Sequence, residues 1–148
     1  MKNSNFKKIA NNNFRTFKGE VFPISYGTIG TDVEKVSRFK LDKKADSRLL
    51  NRIFSKKELA YCFSKSKPEQ HLSGRFSAKE SIIKALSHIN GTPLYCAMPD
   101  IEIVNKNGLP MAKLLDKELK GYTVQVSIAH SKDTVFTVAL VTSRTKHT

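Results

Sequence analysis

Residues 74–86 read GRFSAKESIIKAL and lie within the longest stretch of helical periodicity in this 148-residue chain. The pattern predicts a long helix over residues 70–86 that ends before Asn90 and Gly91, because glycine is typical of helix ends. Apolar side chains recur at helical spacing, as Leu72, Phe76, Ile82, Ile83 and Leu86. Charged residues interrupt this pattern at Arg75, Lys79, Glu80 and Lys84.

The segment before this helix predicts one strand and several short helices. Residues 24–32, ISYGTIGTD, are apolar and β-branched, which predicts a strand bent at its glycines and ending at Asp32. Apolar residues return at helical spacing over residues 33–40, which predicts a helix directly after the strand. Further helix starts are predicted at Asp46 or Ser47, at the capping-box pair Ser55 and Glu58, and at Pro68.

The segment after the helix is rich in strand signals. Asparagine and glycine within residues 105–108 predict the turn of a hairpin. The order of strand, helices and hairpins predicts an α+β domain in which an antiparallel sheet packs against helices. The predicted strands cover residues 100–104, 109–114, 122–129 and 135–141, with a short helix over 115–119 and a loop over 130–133.

The charge of the chain indicates an acidic partner. Lysine and arginine number 26 against 13 acidic residues, so the formal net charge is +13. Nucleic acid, anionic lipid, a phosphorylated ligand and an acidic protein all fit that charge. Hydrophobic residues make up 39%, enough for one core, and no apolar run approaches the roughly 18 residues of a membrane span. The composition therefore excludes an integral membrane protein and wholesale disorder.

Three regions follow from composition. Residues 1–23 are basic and asparagine-rich, which predicts a flexible N-terminal arm. Residues 24–144 carry the structural patterns of one domain, and residues 145–148 form a short tail. Two cysteines argue against a disulfide scaffold and favour a reducing compartment, the cytoplasm.

Two acidic residues lie where their carboxylates could hold a metal ion together. Asp32 ends a glycine-bearing strand, and Glu80 lies on the long helix with Lys84 one turn later. Mg²⁺ is typically held by one or two carboxylates together with substrate phosphates, and nearby cations bind such phosphates. The competing interpretation is a solvated helix surface with one ordinary Glu–Lys pair. His130, alone in a predicted loop, is by itself more often structural than catalytic.

At these residues the chain resembles a known family. The ordered motifs are Gly30-Thr31-Asp32, then Arg75-Phe76 with Lys79-Glu80 and Lys84, then Ser127 to Asp133 around His130. Together they are similar to the holo-acyl-carrier-protein synthases, the short bacterial-type 4′-phosphopantetheinyl transferases. The likeness covers roughly residues 26–142 and includes the segments 52–59 and 107–110. It implies the 4′-phosphopantetheinyl transferase fold.

The resemblance also implies a reaction. The phosphopantetheine arm of coenzyme A is transferred to a serine hydroxyl of apo acyl carrier protein. The transfer depends on Mg²⁺, releases adenosine 3′,5′-bisphosphate and supports fatty acid biosynthesis. The expected partners are therefore coenzyme A and an acidic carrier protein, not nucleic acid or a membrane.

Site residues are implied position by position. Asp32 and Glu80 are expected to hold Mg²⁺, and Lys84 to stabilise the departing phosphate, so these three are the expected catalytic residues. Either Glu80 or a metal-bound water takes the serine proton. The expected coenzyme A residues are Arg75, Lys79, Lys84 and His130 at the phosphates, with Phe76 and Pro110 shaping the site.

The carrier surface implied by the resemblance follows Asp32. Arg38 matches a basic position of the family, and Lys35 and Lys44 extend its charge, although exposed lysines are also ordinary solvated residues. The family usually has glutamate where this chain has Lys35, with Glu34 one position earlier. The larger transferases of this superfamily contain two similar halves, and the single copy of each motif implies that this chain corresponds to one half. Short members of the family form homotrimers with sites between chains, so the resemblance implies a homotrimer here.

A different class of protein competes with this interpretation. A basic α+β domain is also compatible with nucleic-acid binding. The sequence lacks zinc-finger spacing, a GXXG loop and the aromatic strand motif of RNA-recognition domains. Its charge alone supports that alternative.

Overall fold

The computed structural model describes residues 27–143 in full, together with the backbone of two short strands. Strands β1, Phe14–Phe17, and β2, Glu20–Pro23, pair antiparallel. The chain divides into two compact units, residues 1–26 with 145–148, and residues 27–144. The other positions of the predicted arm, and the predicted tail, lie outside the described residues, so the flexibility expected of the arm stays a prediction.

The first strand of the larger unit is longer than its sequence predicts. Strand β3 covers Gly27–Lys35, and a 3-10 turn covers Val36–Phe39. The predicted end at Asp32 and the predicted helix from Val33 are therefore wrong. Strand β3 pairs along its full length with strand β7, Thr134–Ser143, and this ladder continues three residues beyond Asp32.

Three helices follow, and two of them have the local signals of a helix start or end. The capping box is present, since Ser55 Oγ accepts from Glu58 N at 3.2 Å and Glu58 Oε2 accepts from Ser55 N at 2.8 Å. Gly91 has φ of 69°, the left-handed conformation that ends the long helix. The helices are α1, Ser47–Ile53; α2, Lys56–Phe63; and α3, Pro68–Asn90.

The remaining strands form antiparallel hairpins. The first turns at Asn107 and Gly108, with φ of 53° and 82°. His130 lies within a strand paired to Val135, so the predicted loop around it is wrong. The predicted α+β class with antiparallel pairing is confirmed. The strands are β4, Ile101–Lys106; β5, Leu109–Leu114; and β6, Tyr122–Ser131; with 3-10 turns at Met98–Asp100 and Lys117–Gly121.

Helix α3 is central to the packing of the larger unit. The sheet order is β3-β7-β6, with β4-β5 as a separate pair. One apolar cluster joins Ile82 and Leu86 of α3 to Ile101 and Val141. A second cluster joins Leu72, at the other end of α3, to the segment that holds α1 and α2. No helix within residues 27–143 has the length and apolar character to cross a membrane.

Strand β3 approaches α3 most closely at Gly30. A Cβ atom at this position would lie 1.9 Å from Ser81 O and 2.8 Å from Ala85 N, closer than atoms can approach. Thr28 Oγ1 also donates a hydrogen bond to Ala85 O at 2.6 Å. Only glycine therefore allows this contact, which places Asp32, two residues further along the same face of β3, beside the middle of α3.

Candidate active site

Asp32 and Lys84 meet between β3 and α3. Lys84 Nζ donates to Asp32 Oδ1 at 2.9 Å and to Thr31 O at 2.9 Å. The other carboxylate oxygen, Asp32 Oδ2, is buried and has no hydrogen-bond partner within the described part of the chain. A buried carboxylate oxygen without a donor is costly to maintain, and it is where a cation would bind favourably.

Glu80 completes this group. Burial raises the pKa of Glu80 above its usual range, and the neighbouring Asp32 carboxylate raises it further. The Lys84 ammonium opposes that shift, while Glu34 adds to it. Negative charge is thus in excess beside Glu80, which fits a divalent cation held by two carboxylates. Residues 27–143 contain no group of three or more histidine, cysteine or acidic side chains placed to hold a metal.

Glu34 is a neighbouring carboxylate that the sequence argument did not place at the site. It lies on the same face of β3 as Asp32, while Lys35 is exposed on the other face. Its Oε2 pairs with Arg38 Nη1 at 2.5 Å. The period of two along a strand would have indicated this position, had β3 been predicted to continue past Asp32.

A second group of predicted residues lines one cavity. The cavity has a volume of about 200 Å³ and includes Arg75, Pro110 and His130 in its wall. Arg75 is 7% exposed, and its guanidinium lies 4.1 Å from the centre of the Tyr61 ring. Its Nε is buried without a hydrogen-bond partner by distance and angle in the described residues, and a guanidinium is a group that binds anions.

Two further residues of this cavity belong to none of the sequence motifs named above. Tyr61 packs against Arg75, and His71 supplies the carbonyl oxygen that accepts from Arg75 Nη1 at 3.4 Å. Burial lowers the pKa of His71, and the Arg75 guanidinium lowers it further. The His71 ring is therefore neutral near pH 7, and Arg75 supplies positive charge to this wall. Sequence spacing did not indicate either residue as part of a site.

Within one chain the two groups occupy different sides of α3. Arg75 precedes Glu80 by five positions, which corresponds to about 140° around a helix and about 7.5 Å along it. Asp32, Glu80 and Lys84 are brought together, and Arg75, Pro110 and His130 are brought together. These six predicted site residues thus form two clusters.

Lys79 does not belong to either cluster. Its side chain is fully buried, and Nζ donates to Glu58 Oε2 at 2.7 Å, Ile53 O at 2.8 Å and Met98 O at 3.0 Å. Burial lowers its pKa, and the Glu58 carboxylate opposes that effect. All three ammonium hydrogens are engaged, so the predicted contact of Lys79 with a coenzyme A phosphate is wrong in this arrangement.

Phe76 also departs from its predicted place. Its ring packs at 5.2 Å, centre to centre, against Phe39, at the edge of the second apolar cluster. It does not line the cavity that contains Arg75. Phe76 therefore fixes the 3-10 turn after β3 to helix α3, and its part in shaping the coenzyme A site stays a prediction.

The residues predicted to bind a carrier protein lie on the surface. The Arg38 side chain is 64% exposed, although it is paired with Glu34. Lys35 and Lys44 are also exposed, at the end of β3 and before α1. Their positive charges face solvent, where they can act on an acidic partner over a distance of about 10 Å.

Comparison with known proteins yields one consistent family. Residues 28–139 match the 4′-phosphopantetheinyl transferase superfamily. The holo-acyl-carrier-protein synthase of Chlamydia caviae is 39% identical over 116 residues, which cover 76% of this chain and 93% of that protein.

Solved structures agree with this match. The holo-acyl-carrier-protein synthase of Neisseria meningitidis superposes with a TM-score of 0.65 at 30% identity, covering 77% of this chain and 96% of that one. The corresponding synthase of Bacillus anthracis, solved in complex with CoA (3′,5′-ADP), gives 0.62 at 26% identity, covering 78% and 96%.

The buried Lys79–Glu58 pair generates a stability prediction. Lys79→Met leaves the Glu58 carboxylate, which is 1% exposed, without its counter-ion. We expect the free energy of unfolding to fall by about 3–5 kcal/mol in urea titrations. The double variant Lys79→Met with Glu58→Gln should recover part of that loss, because it removes the unpaired charge.

Lys84→Met is the matched control, because it makes the same substitution on the same helix. Its side chain is 49% exposed, so the expected loss is below about 1 kcal/mol. Equal losses for Lys79→Met and Lys84→Met would contradict the structural role assigned to the buried pair.

Proposed function

Because the chain belongs to the 4′-phosphopantetheinyl transferase superfamily, and within it to the holo-acyl-carrier-protein synthases, we propose a specific reaction. It transfers the 4′-phosphopantetheine group of coenzyme A to a serine of apo acyl carrier protein and releases adenosine 3′,5′-bisphosphate. The observation that carries this proposal is the unpartnered Asp32 Oδ2 beside Glu80 and Lys84. The residues there match the chemistry of phosphoryl transfer.

Asp32 and Glu80 are the residues that would hold Mg²⁺. Their carboxylates crowd each other in a partly buried position, and only one of the four oxygens accepts from Lys84. When bound, Mg²⁺ would neutralise charge on the pyrophosphate of coenzyme A. The donor set therefore fits a hard cation that also takes phosphate oxygens.

Lys84 is placed to act on the leaving phosphate. Its side chain is 49% exposed and reaches across the gap between α3 and β3 to Asp32. Lys84 Nζ has three hydrogens and donates two of them, to Asp32 and Thr31, so the third would serve a phosphate oxygen. Lys84 then stabilises the negative charge that develops as the phosphate departs.

The cavity around Arg75 is the proposed phosphate-binding part of the coenzyme A site. Arg75 lines this cavity, and so does His130, whose Nε2 lies 3.3 Å from Gln70 O. Pro110 of the β4–β5 hairpin also lines the cavity. The related synthase of Bacillus anthracis binds coenzyme A, which supports this ligand for the present chain.

We also propose that three copies of the chain assemble. The solvent-facing side of β3 and β7 is apolar, with the opposed pairs Ile29–Leu140 and Val33–Phe136. Their exposures are 64%, 37%, 60% and 43% in that order. A homotrimer would cover this face, and it would let the two clusters of one site come from adjacent chains.

The proposed carrier surface is basic and the proposed compartment is reducing. Arg38, Lys35 and Lys44 would contact an acidic carrier protein of fatty acid biosynthesis, since complementary charge speeds such encounters. Cys62 and Cys96 are both free thiols, which supports the cytoplasm.

The transfer assay tests this function directly. Apo acyl carrier protein is incubated with the chain, coenzyme A and Mg²⁺, and the intact mass of the carrier is followed. We expect a gain of one phosphopantetheine group, abolished by a chelator and restored by Mg²⁺. Asp32→Asn and Glu80→Gln should each lower kcat/KM about 100-fold or more. Glu118→Gln, an exposed carboxylate on the last 3-10 turn, is the control expected to act like wild type.

Two results would refute the proposed function or its site. No mass gain with the wild-type chain refutes the transfer. Near-normal turnover in both carboxylate variants refutes the assigned site while leaving the transfer in place.

Sedimentation equilibrium tests the assembly. The wild-type chain should sediment as three copies, and Val33→Asp should dissociate them because it buries a charge in the interface. Tyr95→Asp, which changes a residue that is 93% exposed in the loop after α3, should leave three copies. A wild-type monomer would contradict the proposed trimer.

A further inference from the structure

The turn between β6 and β7 is tied to the 3-10 turn that follows β3. Asp133 O accepts from Val36 N at 2.9 Å, Asp133 Oδ1 accepts from Ser37 N at 2.8 Å, and Asp133 Oδ2 accepts from Ser37 Oγ at 2.8 Å. One residue thus makes three hydrogen bonds to two consecutive residues, 96 positions away from Ser37. Both Asp133 and Ser37 are exposed, so burial does not account for this arrangement.

The turn has an unusual backbone conformation. Lys132, directly before Asp133, has φ of 51°, a left-handed backbone conformation that a lysine rarely adopts. Such conformations persist where surrounding contacts over-determine them. The three bonds of Asp133 join this turn to the segment after β3.

The segment held by Asp133 carries Arg38. Val36 and Phe39 are buried on either side, while Ser37 and Arg38 point outward. Glu34 holds the Arg38 guanidinium from the strand side through a 2.5 Å ion pair. Asp133 holds the backbone of the preceding residue from the other side, so two carboxylates set the direction of one exposed cation.

A positioning role and a purely electrostatic role predict opposite effects. Asp133 adds negative charge beside Arg38 on a surface proposed to attract an acidic protein. If charge alone mattered, removing the carboxylate would strengthen the attraction and improve carrier binding. If the hydrogen bonds matter, removing it releases Ser37 and lets Arg38 sample other directions, which weakens carrier binding.

We propose that Asp133 is a positioning residue for the carrier protein, which orients the Arg38 segment through its bonds to Val36 and Ser37. The inference rests on the proposed function, since it takes Arg38 as the contact for an acidic carrier. Asp133 itself touches neither the carrier serine nor coenzyme A. Asp133 acts by fixing the positions of Val36 and Ser37. Through these bonds, the β6–β7 hairpin, which also contains His130, stabilises the segment that contacts the carrier.

Steady-state kinetics with each substrate varied in turn tests the inference. Asp133→Ala should raise the KM for apo carrier protein about fivefold to tenfold. The kcat and the KM for coenzyme A should stay within about twofold of wild type. Asp116→Ala is the matched control, because Asp116 caps the unrelated 3-10 turn at Lys117–Gly121 through Glu118 N and the charge change is identical.

Two conservative variants separate geometry from charge. Asp133→Asn loses the charge but keeps an oxygen for Ser37 N, so its KM for the carrier should stay at or below the wild-type value. Ser37→Ala keeps the charge and loses only the bond to Oδ2, so its KM should rise by about twofold to threefold. Amide hydrogen exchange at Ser37, measured without any substrate, should be faster in Asp133→Ala than in wild type.

The possible outcomes separate the positioning role of Asp133 from the proposed function. A lower or unchanged carrier KM in Asp133→Ala, with wild-type turnover, overturns the positioning role and leaves the proposed function standing. An equal rise in Asp116→Ala also overturns it, because a general charge or stability effect would then suffice. No transfer by the wild-type chain would overturn the proposed function and this inference together.

Discussion

The contact between Gly30 and the backbone of Ser81 is the constraint on which the site depends. A side chain at this position would overlap Ser81 O, so β3 and α3 can touch there only through glycine. The contact leaves Asp32 on the inward face of β3, next to Glu80 and Lys84 of α3. A cation would need the Asp32 and Glu80 carboxylates close together. The distance between β3 and α3 at Gly30 determines how close they are.

Helix α3 carries two kinds of charged group along its length. Lys79 and Glu58 are fully buried and mutually satisfied, and they join α3 to α2 and to Ile103 N at the start of β4. Asp32 and Glu80 are crowded and unsatisfied, with one buried oxygen lacking a donor. The first pair gives the helix a fixed position, and the second leaves binding capacity for a cation and a phosphate. Lys79 and Glu80 are thus neighbours on one helix, the first with a structural role and the second with a proposed chemical role.

Much of this arrangement could be predicted from local sequence. The capping box at Ser55, the Asn107-Gly108 turn and the end of α3 at Gly91 all depend on residues close in sequence, and each is present. The end of β3 depends on its pairing with β7, about 100 residues later, so local spacing misplaced it. The role of Lys79 depends on its ion pair with Glu58. The local sequence around Glu58 predicts only that this residue caps a helix. The motif placed Asp32, Glu80 and Lys84 together, while Tyr61 and His71 reach the Arg75 cavity through tertiary packing alone.

Manganese binding, followed by electron paramagnetic resonance with coenzyme A present, tests the central claim that the Gly30 contact positions Asp32 and Glu80, the proposed metal ligands. Mn²⁺ stands in for Mg²⁺, and Gly30→Ala leaves Asp32 and Glu80 unchanged. We expect wild type and Gly121→Ala to bind Mn²⁺ alike, since a Cβ at Gly121 meets no atom within 4 Å. We expect at least about tenfold weaker binding by Gly30→Ala, because small displacements of ligating groups are costly. Unchanged affinity in Gly30→Ala, or no bound Mn²⁺ in the wild type, would contradict it.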